Sequence, residues 1–248
     1  MRTLKLALAY DGTHYAGWQI QRNAKRPTIQ GVLQQALRRI LQEPVRVIGS
    51  GRTDAGVHAL AQVAHLRTRS HRSCEQLQRA LYGVLPPDIV VTKVEDAPET
   101  FHAQFDAKTK RYRYQIVTRT AVLPFERQYV HHVRASLDVP LMRREAKVLL
   151  GRHDLGAFQK AGSSVTDTRR TITDLVIHRR NAHVTIEIEA NGFLYAMVRR
   201  MVGTLLDLGR GYRPPGTMIR ILRTQDSHLV GPTAPARGLS LVQVTYRR

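Results

Sequence analysis

Cysteine and long apolar runs are what this sequence most clearly lacks. The single cysteine, Cys74, excludes an internal disulfide framework, and no Cys/His set has the spacing of a zinc site. No apolar stretch approaches the roughly 18 residues that a membrane-spanning helix needs, and the N-terminal apolar run is too short for a signal peptide. We therefore expect a cytoplasmic protein with no membrane span.

Acidic residues are also scarce. Asp and Glu total 19 against 39 for Lys and Arg, which gives a formal net charge of +20. Such an excess indicates a polyanionic partner, most commonly nucleic acid, whereas a membrane-surface protein would need a separable Arg-rich amphipathic helix. The cations are 32 Arg and only 7 Lys. Because Arg binds phosphates bidentately and stacks on bases, this bias favours RNA, although a GC-rich genome or a heat-adapted host would also raise the Arg share.

The hydrophobic pattern predicts an α+β fold with two halves. A length of 248 residues and a hydrophobic content of 42% suit one large or two small globular domains. In the first half we expect helices after an N-cap at Thr28 and after a capping box formed by Ser73 and Gln76. Alternation predicts strands at residues 4–10, 45–48, 60–66 and 89–94.

The second half repeats the mixture of strands and helices. Strands are predicted at residues 111–118, 171–178, 183–190 and 239–246, and helices at residues 139–150, 194–208 and 215–223. Two α+β halves with mainly antiparallel sheets are the natural architecture for this order of elements. We place the boundary near residue 105, with an N-terminal half of residues 1–105 and a C-terminal half of residues 106–248.

The most informative segment is the loop at residues 49–59, which joins two predicted strands and contains three glycines. At its centre Arg52 and Asp54 are two residues apart. In so basic a protein, a carboxylate held on a rigid loop indicates chemistry rather than attraction of a polyanion. Asp54 would then act as a nucleophile or base, kept ionised by Arg52 and by loop amides. The alternative is an ordinary turn residue whose side chain bonds its own backbone.

The segment Gly51-Arg52-Thr53-Asp54-Ala55-Gly56-Val57-His58-Ala59 resembles the signature of the tRNA pseudouridine synthase A (TruA) family. The resemblance extends over nearly the whole chain, with one departure, since the family often has Arg where Gln104 stands. Further matching segments, in chain order, are Tyr10-Asp11-Gly12, residues 15–19, residues 101–105, Arg111-Tyr112-Arg113-Tyr114, residues 191–195, Met197-Val198-Arg199 with Gly203, and Ala236-Arg237-Gly238-Leu239.

This resemblance implies the pseudouridine synthase fold, in which two α/β halves form a central cleft. It implies isomerisation of uridine to pseudouridine at positions 38, 39 and 40 of the tRNA anticodon stem-loop, by a homodimer. It also implies no metal and no cofactor, and the sequence contains neither a Walker loop nor a metal-ligand cluster. The target nucleotide has to leave the stem by base flipping before it can react.

The resemblance assigns the catalytic role to Asp54, which attacks either the ribose C1′ or the uracil C6. Arg52 matches the arginine that fills the vacated stack, although a simple salt bridge is the alternative. Tyr112 matches a tyrosine that stacks on the flipped uracil, although an aromatic ring packed on a sheet would have the same pattern.

The predicted helix around residues 194–208 supplies the remaining substrate contacts. Arg199 lies on an otherwise apolar face, where a buried cation needs a buried anion, and Asp54 is the candidate. The alternative is an exposed arginine on the polar face. Phe193 and Val198 are expected to line the uridine pocket.

RNA contacts are predicted in two segments. A scattered set of arginines is the candidate phosphate-binding surface, with an ordinary solvated side chain as the alternative for each of them. Lys160 is the expected phosphate contact. The first segment is Phe101, His102, Ala103, Gln104 and Phe105; the second is Phe158, Gln159, Lys160, Ala161 and Gly162; the arginines are Arg67, Arg69, Arg72, Arg79, Arg111 and Arg113. Two other functions compete with a synthase. A non-catalytic RNA-binding module would need no catalytic Asp54, and a metal-dependent nuclease would need clustered carboxylates, whereas the acids here are few and scattered.

Overall fold

The computed structural model describes residues 1–163 and 165–246. The strands, in chain order, are β1 (Arg2–Tyr10), β2 (Ile48–Gly49), β3 (His58–Thr68), β4 (Ile89–Ala97), β5 (Ala107–Val117), β6 (His131–His132), β7 (Gly151–Asp154), β8 (Arg169–Arg180), β9 (His183–Ala190) and β10 (Leu239–Tyr246). The α-helices are α1 (Ile29–Leu41), α2 (Cys74–Val84), α3 (Val139–Lys147), α4 (Met197–Gly209) and α5 (Thr217–Thr224). The predicted α+β class with mainly antiparallel strands is confirmed.

The chain divides into two compact units. The first contains Met1–Lys108 together with the segment from Ser240 onward, and the second contains Thr109–Leu239. Most of β10 therefore folds with the first unit, whereas chain order alone would group it with the second half. The reason is pairing, because Ser240 and Leu241 are in parallel register with His58 and Ala59 of β3.

In the first unit the strands have the order β4-β1-β3-β10, with β2 against β3. The pairs of β1 with β3 and with β4 are antiparallel. Leu4, Leu6 and Leu8 alternate with more exposed residues along β1, so one face of the strand enters the core. Both predicted helix starts are present: the Thr28 side chain accepts from the Gly31 N–H, and Ser73 forms its capping box.

The strand predicted at residues 45–48 is wrong except at its last residue. The Val47 N–H donates to Gln34 Oε1 at 2.9 Å, and Gln30 Nε2 donates to the Val47 carbonyl at 2.8 Å. Two glutamines of α1 thus satisfy the backbone that a neighbouring strand would otherwise pair, and Val47 is nevertheless fully buried. Strand pairing begins only at Ile48.

In the second unit the strands have the order β5-β9-β8-β7, all antiparallel, with β6 parallel to β5. The sequence pattern missed β7, which follows soon after α3 ends at Lys147 rather than at residue 150. Buried α4 packs against α3 and is preceded by Ala196, whose φ of +56° is left-handed. Among the described helices, none has the length and apolar composition that crossing a membrane requires.

Candidate active site

Thr53, the residue before Asp54, is tied to the β1 end of the first unit. Its hydroxyl lies 2.8 Å from the Tyr10 hydroxyl, and its carbonyl accepts from the Trp18 N–H at 3.0 Å. Thr53, Tyr10 and Trp18 are all buried. The backbone next to Asp54 is therefore held in place by the buried hydrogen bonds that join Thr53 to Tyr10 and Trp18.

Two glycines allow the segment after β1 to lie directly against this loop. A Cβ on Gly17 would be 2.5 Å from the Thr53 carbonyl oxygen and 3.0 Å from the Asp54 carbonyl carbon, and Gly17 has a φ of +91°. A Cβ on Gly12 would be 2.0 Å from the Val57 carbonyl oxygen. Neither position has space for a side chain, so the close approach of the two backbones requires glycine.

Asp54 begins a tight turn. The Val57 N–H donates to the Asp54 carbonyl at 3.1 Å, and Gly56 has a φ of +76°. Asp54 therefore does lie in a turn, as expected for an ordinary turn residue. The hydrogen bond that closes this turn is accepted by the backbone carbonyl of Asp54. Asp54 is half-buried and Arg52 is exposed. The loop thus places both side chains where a ligand in solvent can reach them.

Gln62 supports the start of the loop and was not anticipated from the sequence. It is fully buried on β3, where its Oε1 accepts from the Ser50 hydroxyl at 2.8 Å and its Nε2 donates to the Gly51 carbonyl at 3.0 Å. The available signal was a polar residue inside an apolar strand, since such a residue is buried only when its hydrogen bonds are satisfied.

His58 supports the end of the loop. It is buried, and its Nδ1 accepts from the Gly12 N–H at 3.1 Å. The same Nδ1 lies 3.0 Å from the Asp11 carboxylate, which also accepts from the Thr13 N–H and hydroxyl. His58 therefore links the β1 turn to the loop.

In the second unit, Tyr112 of β5 packs edge-on against Phe193. Their ring centroids are 5.0 Å apart at an interplanar angle of 86°. Tyr112 and Val198 are buried, and Phe193 is half-buried. Tyr112 lies opposite Ile188 of β9, so the sheet-packed aromatic expected from the pattern is also present. The structure therefore brings together two of the three residues predicted to contact uracil.

Arg199 of α4 is held against the segment that follows α5. Its Nε donates to the Ala234 carbonyl at 2.7 Å, and the Ala234 N–H donates to the Arg199 carbonyl at 3.0 Å. Arg199 is half-buried rather than fully exposed. Its predicted pairing with Asp54 stays a prediction.

The first predicted RNA segment contains both exposed and buried residues. Phe105 is 77% exposed and stacks on His102, with ring centroids 4.2 Å apart. Gln104 is exposed, whereas Phe101 is half-buried. Ala103 has no exposed surface, and its N–H donates to His65 Nδ1. Ala103 therefore positions the segment instead of presenting a side chain to RNA.

The second predicted RNA segment corrects one expectation. Phe158 is fully buried, so its ring packs in the core and does not face RNA. Lys160, Ala161 and Gly162 are exposed, and Gln159 is half-buried. The Lys160 ammonium lies 5.8 Å from the ring centroid of Tyr195, a cation–π distance that still leaves it accessible.

Two of the predicted phosphate-binding arginines are already paired with acids. Arg111 contacts Asp174 at 2.7 Å and Glu189 at 3.0 Å, and Arg113 contacts Glu187 at 2.7 Å. Arg111 contacts acids through Nε and both terminal nitrogens, which leaves it little capacity for a phosphate, whereas the contact of Arg113 with Glu187 uses Nε. The exposed members of the set are Arg67, Arg69, Arg72 and Arg79.

Residues 1–163 and 165–246 contain no group of three or more His, Cys, Asp or Glu side chains arranged to hold a metal ion. Cys74 is a free thiol in contact with Arg2 and Asp96. The geometry of the described residues therefore centres on one carboxylate loop, one aromatic pair and one anchored arginine.

Comparison with known proteins identifies the family. The family model described as "tRNA pseudouridine synthase" matches residues 6–106 and 146–247. A protein of Thermoanaerobacter sp. (strain X514) named tRNA pseudouridine synthase A is 45% identical over 246 residues, 99% of this chain and 100% of its own. The protein of the same name from Brevibacillus brevis is 42% identical over 246 residues, with the same coverage of both chains.

The chain belongs to the tRNA pseudouridine synthase family, as its motifs predicted, and its relatives are named as isomerases of that class. A solved structure entitled "Crystal Structure of a Cbf5-Nop10-Gar1 Complex" matches with a TM-score of 0.41 at 10% identity, covering 96% of this chain and 48% of that one.

Proposed function

We propose that this protein isomerises uridine to pseudouridine at positions 38, 39 and 40 of the tRNA anticodon stem-loop, with Asp54 as the nucleophile. The observation that carries the proposal is Asp54 itself, a carboxylate on a loop anchored through Thr53 to Tyr10 and Trp18, in a chain of this family. A turn residue without chemistry would not need so rigid a support on both sides.

The reaction balances without a cofactor. The bond between ribose C1′ and uracil N1 breaks, uracil turns, and a bond forms between C1′ and C5. The C5 proton is lost and N1 gains one proton, so substrate and product are isomers. Asp54 supplies the transient covalent partner at C1′ or at uracil C6, which makes the separate steps easier than a direct exchange.

The other proposed roles follow the positions of the side chains. Exposed Arg52 occupies the space that the flipped nucleotide leaves in the stem. The Tyr112–Phe193 pair presents an aromatic surface on which uracil stacks, with Val198 beside it. Arg199, anchored on Ala234, holds a charge that would keep a nearby carboxylate ionised.

We further propose a cytoplasmic homodimer that binds the anticodon arm of tRNA. The net charge of +20 supports a polyanionic substrate, and the exposed Phe105 and Lys160 support contacts in both RNA segments. Sedimentation should give twice the chain mass at micromolar concentration, and a monomer there would contradict the dimer.

The deciding experiment uses unmodified tRNA with tritium at uracil C5, without metal or cofactor. We expect the wild-type protein to release tritium and Asp54→Asn to release at least about 1,000-fold less, because the amide is a poor nucleophile. Asp54→Asn should bind tRNA with nearly unchanged affinity. Asp96→Asn, which changes an exposed carboxylate paired with Arg2, is the matched control and should retain full turnover.

Each failure points to a different function. Tight binding without tritium release over several tRNAs with uridines at these positions would indicate a non-catalytic RNA-binding module. Normal turnover by Asp54→Asn would remove Asp54 from the mechanism. Cleavage of tRNA that requires magnesium and stops with a chelator would indicate a nuclease.

A further inference from the structure

The two faces of the sheet in the second unit differ in whether their cationic side chains are paired with carboxylates. On one face Arg111 lies directly opposite Glu189 across the β5–β9 ladder, and Arg113 lies opposite Glu187. Asp174 of β8 completes this group with a 2.7 Å contact to Arg111. The cations on this face are thus neutralised by neighbouring carboxylates.

The opposite face carries Lys110, which forms no ion pair within residues 1–163 and 165–246. Lys110 lies opposite Ala190 on β9, and Ala190 in turn lies opposite Ile172 on β8. Side chains two residues apart share a face, so Lys110 and Tyr112 point to the same side of β5, about 7 Å apart along the strand. The positive charge of Arg170 acts on Lys110.

In the part of the chain that the structure describes, Arg170 is held by backbone carbonyls and forms no ion pair with a carboxylate. Its guanidinium donates to the backbone carbonyls of Asp167 at 2.9 Å and of Arg169 at 2.6 Å. Gly192 packs against this side chain, since a Cβ there would be 3.3 Å from Arg170 Nε. The next residue, Phe193, contacts Tyr112. Arg170 is therefore fixed at the same end of the sheet as the aromatic pair.

The arrangement is unfavourable as it stands. Burial, with a further contribution from the charge of Arg170, lowers the pKa of Lys110 to about 8. The positive charge of Arg170 disfavours the protonated form of Lys110, and an anion bound between the two side chains would offset this repulsion. The aromatic pair at this end of the sheet, Tyr112 and Phe193, suggests a nucleotide phosphate as that anion, because a nucleotide stacked on these rings would carry one.

We propose that Lys110 and Arg170 form a phosphate-binding subsite for the RNA backbone next to the nucleotide that Tyr112 and Phe193 hold. The inference rests on the proposed function for the identity of the nucleotide. It adds a specific backbone contact to that function, where composition indicates only a general attraction between a basic protein and RNA. A phosphodiester suits the pair, since Arg recognises its oxygens with directed hydrogen bonds and Lys adds a point charge.

The test measures anticodon stem-loop binding by Lys110→Met and Arg170→Gln. Each variant should bind about 5- to 10-fold more weakly near 0.15 M salt, and the slope of log affinity against log salt should fall by about 0.7 to 0.9. Arg169→Gln is the matched control. It removes the same charge from the neighbouring exposed position on β8, and it should lower affinity less than 2-fold.

A second arm locates the phosphate. A set of stem-loops is made in which each molecule carries one methylphosphonate linkage, at a different position around the target uridine, and so lacks one backbone charge. Stem-loops with 2′-O-methyl riboses and normal phosphates are the controls. One position should weaken wild-type binding about 5- to 10-fold yet have little further effect on Lys110→Met or Arg170→Gln. Thermal melts confirm that each variant is folded.

The two proposals fail in different ways. Equal losses in Arg169→Gln and Arg170→Gln would show that only net charge matters and would overturn the subsite. The subsite would also be overturned if every methylphosphonate weakened the binding of both variants by the same factor as it weakens the binding of the wild type. Absence of tritium release by the wild-type protein would instead overturn the synthase, because the binding measurements do not depend on turnover.

Discussion

The Tyr10 and Thr53 hydroxyl groups form a buried hydrogen bond of 2.8 Å directly beneath the loop that carries Asp54. Burial raises the pKa of Tyr10 to about 12, so its hydroxyl remains protonated near neutral pH. This bond links β1 to the loop at residues 49–59 and fixes the loop to the buried core. Rigid support of this kind keeps a reacting group in its productive geometry.

Tyr10→Phe should therefore lower kcat more than it lowers tRNA affinity. Loss of the bond leaves the buried Thr53 hydroxyl without its Tyr10 partner, and we expect a destabilisation of about 1 to 2 kcal/mol. Urea unfolding and single-turnover kinetics measure the two effects. Tyr82→Phe, at a tyrosine that is 77% exposed, should change neither. An unchanged kcat in Tyr10→Phe would show that the loop does not depend on this anchor.

Gly17→Ala should destabilise the fold by more than the strain of placing alanine in a left-handed backbone conformation. Gly211 has a φ of +76° and nothing within 4 Å of an added Cβ, so Gly211→Ala measures the strain of a left-handed alanine, about 1 kcal/mol. Gly17→Ala has the same strain plus a clash with the Thr53 carbonyl, which we expect to add about 1 to 3 kcal/mol. Equal unfolding free energies for the two variants would contradict the predicted clash.

His65 should make the fold sensitive to acid. Burial, with the nearby charges of His102 and Arg67, lowers the pKa of His65 to about 4. Between about pH 6.5 and pH 4 the unfolded chain binds a proton at His65 that the folded chain does not, so stability falls as the pH falls. The loss should be about 1 to 3 kcal/mol over this window.

Comparison of unfolding free energies at pH 7 and pH 4.5 isolates the contribution of His65. His65→Gln keeps an acceptor for the Ala103 N–H but does not titrate, so its stability should change less with pH than that of the wild type. His71→Gln, at an exposed histidine, is the control and should follow the wild-type curve. Parallel curves for His65→Gln and the wild type would disprove the role of His65.

Arg111→Gln should affect stability and leave RNA binding nearly unchanged. Removal of the guanidinium leaves Asp174, Glu187 and Glu189 close together, and their repulsion should destabilise the fold by about 1 to 2 kcal/mol. Added salt screens like charges, so 0.5 M NaCl should restore part of the loss. If Arg111→Gln instead lowered the slope of log tRNA affinity against log salt as much as Arg170→Gln does, Arg111 would be a phosphate contact.

Much of the secondary structure was readable from local patterns. The helix starts at Thr28 and Ser73 are as predicted, because capping depends on residues only three positions apart. The strand predicted at residues 239–246 has the same bounds in the structure. The predictions failed where a distant segment replaced a local partner, as at Val47, whose backbone bonds to glutamines of α1.

The sequence by itself determined the α+β class and the family, and it predicted a polyanionic partner, because composition, periodicity and contiguous motifs need no long-range information. Only the tertiary structure decided that Arg111 is neutralised by acids, while its neighbour Lys110 lies on the opposite face of β5 and experiences the charge of Arg170. It also decided that Gly17 lies against Thr53 and that Phe158 is buried. The physical reason is that strand register and backbone contact join residues far apart in the chain, and these partners set charge and burial.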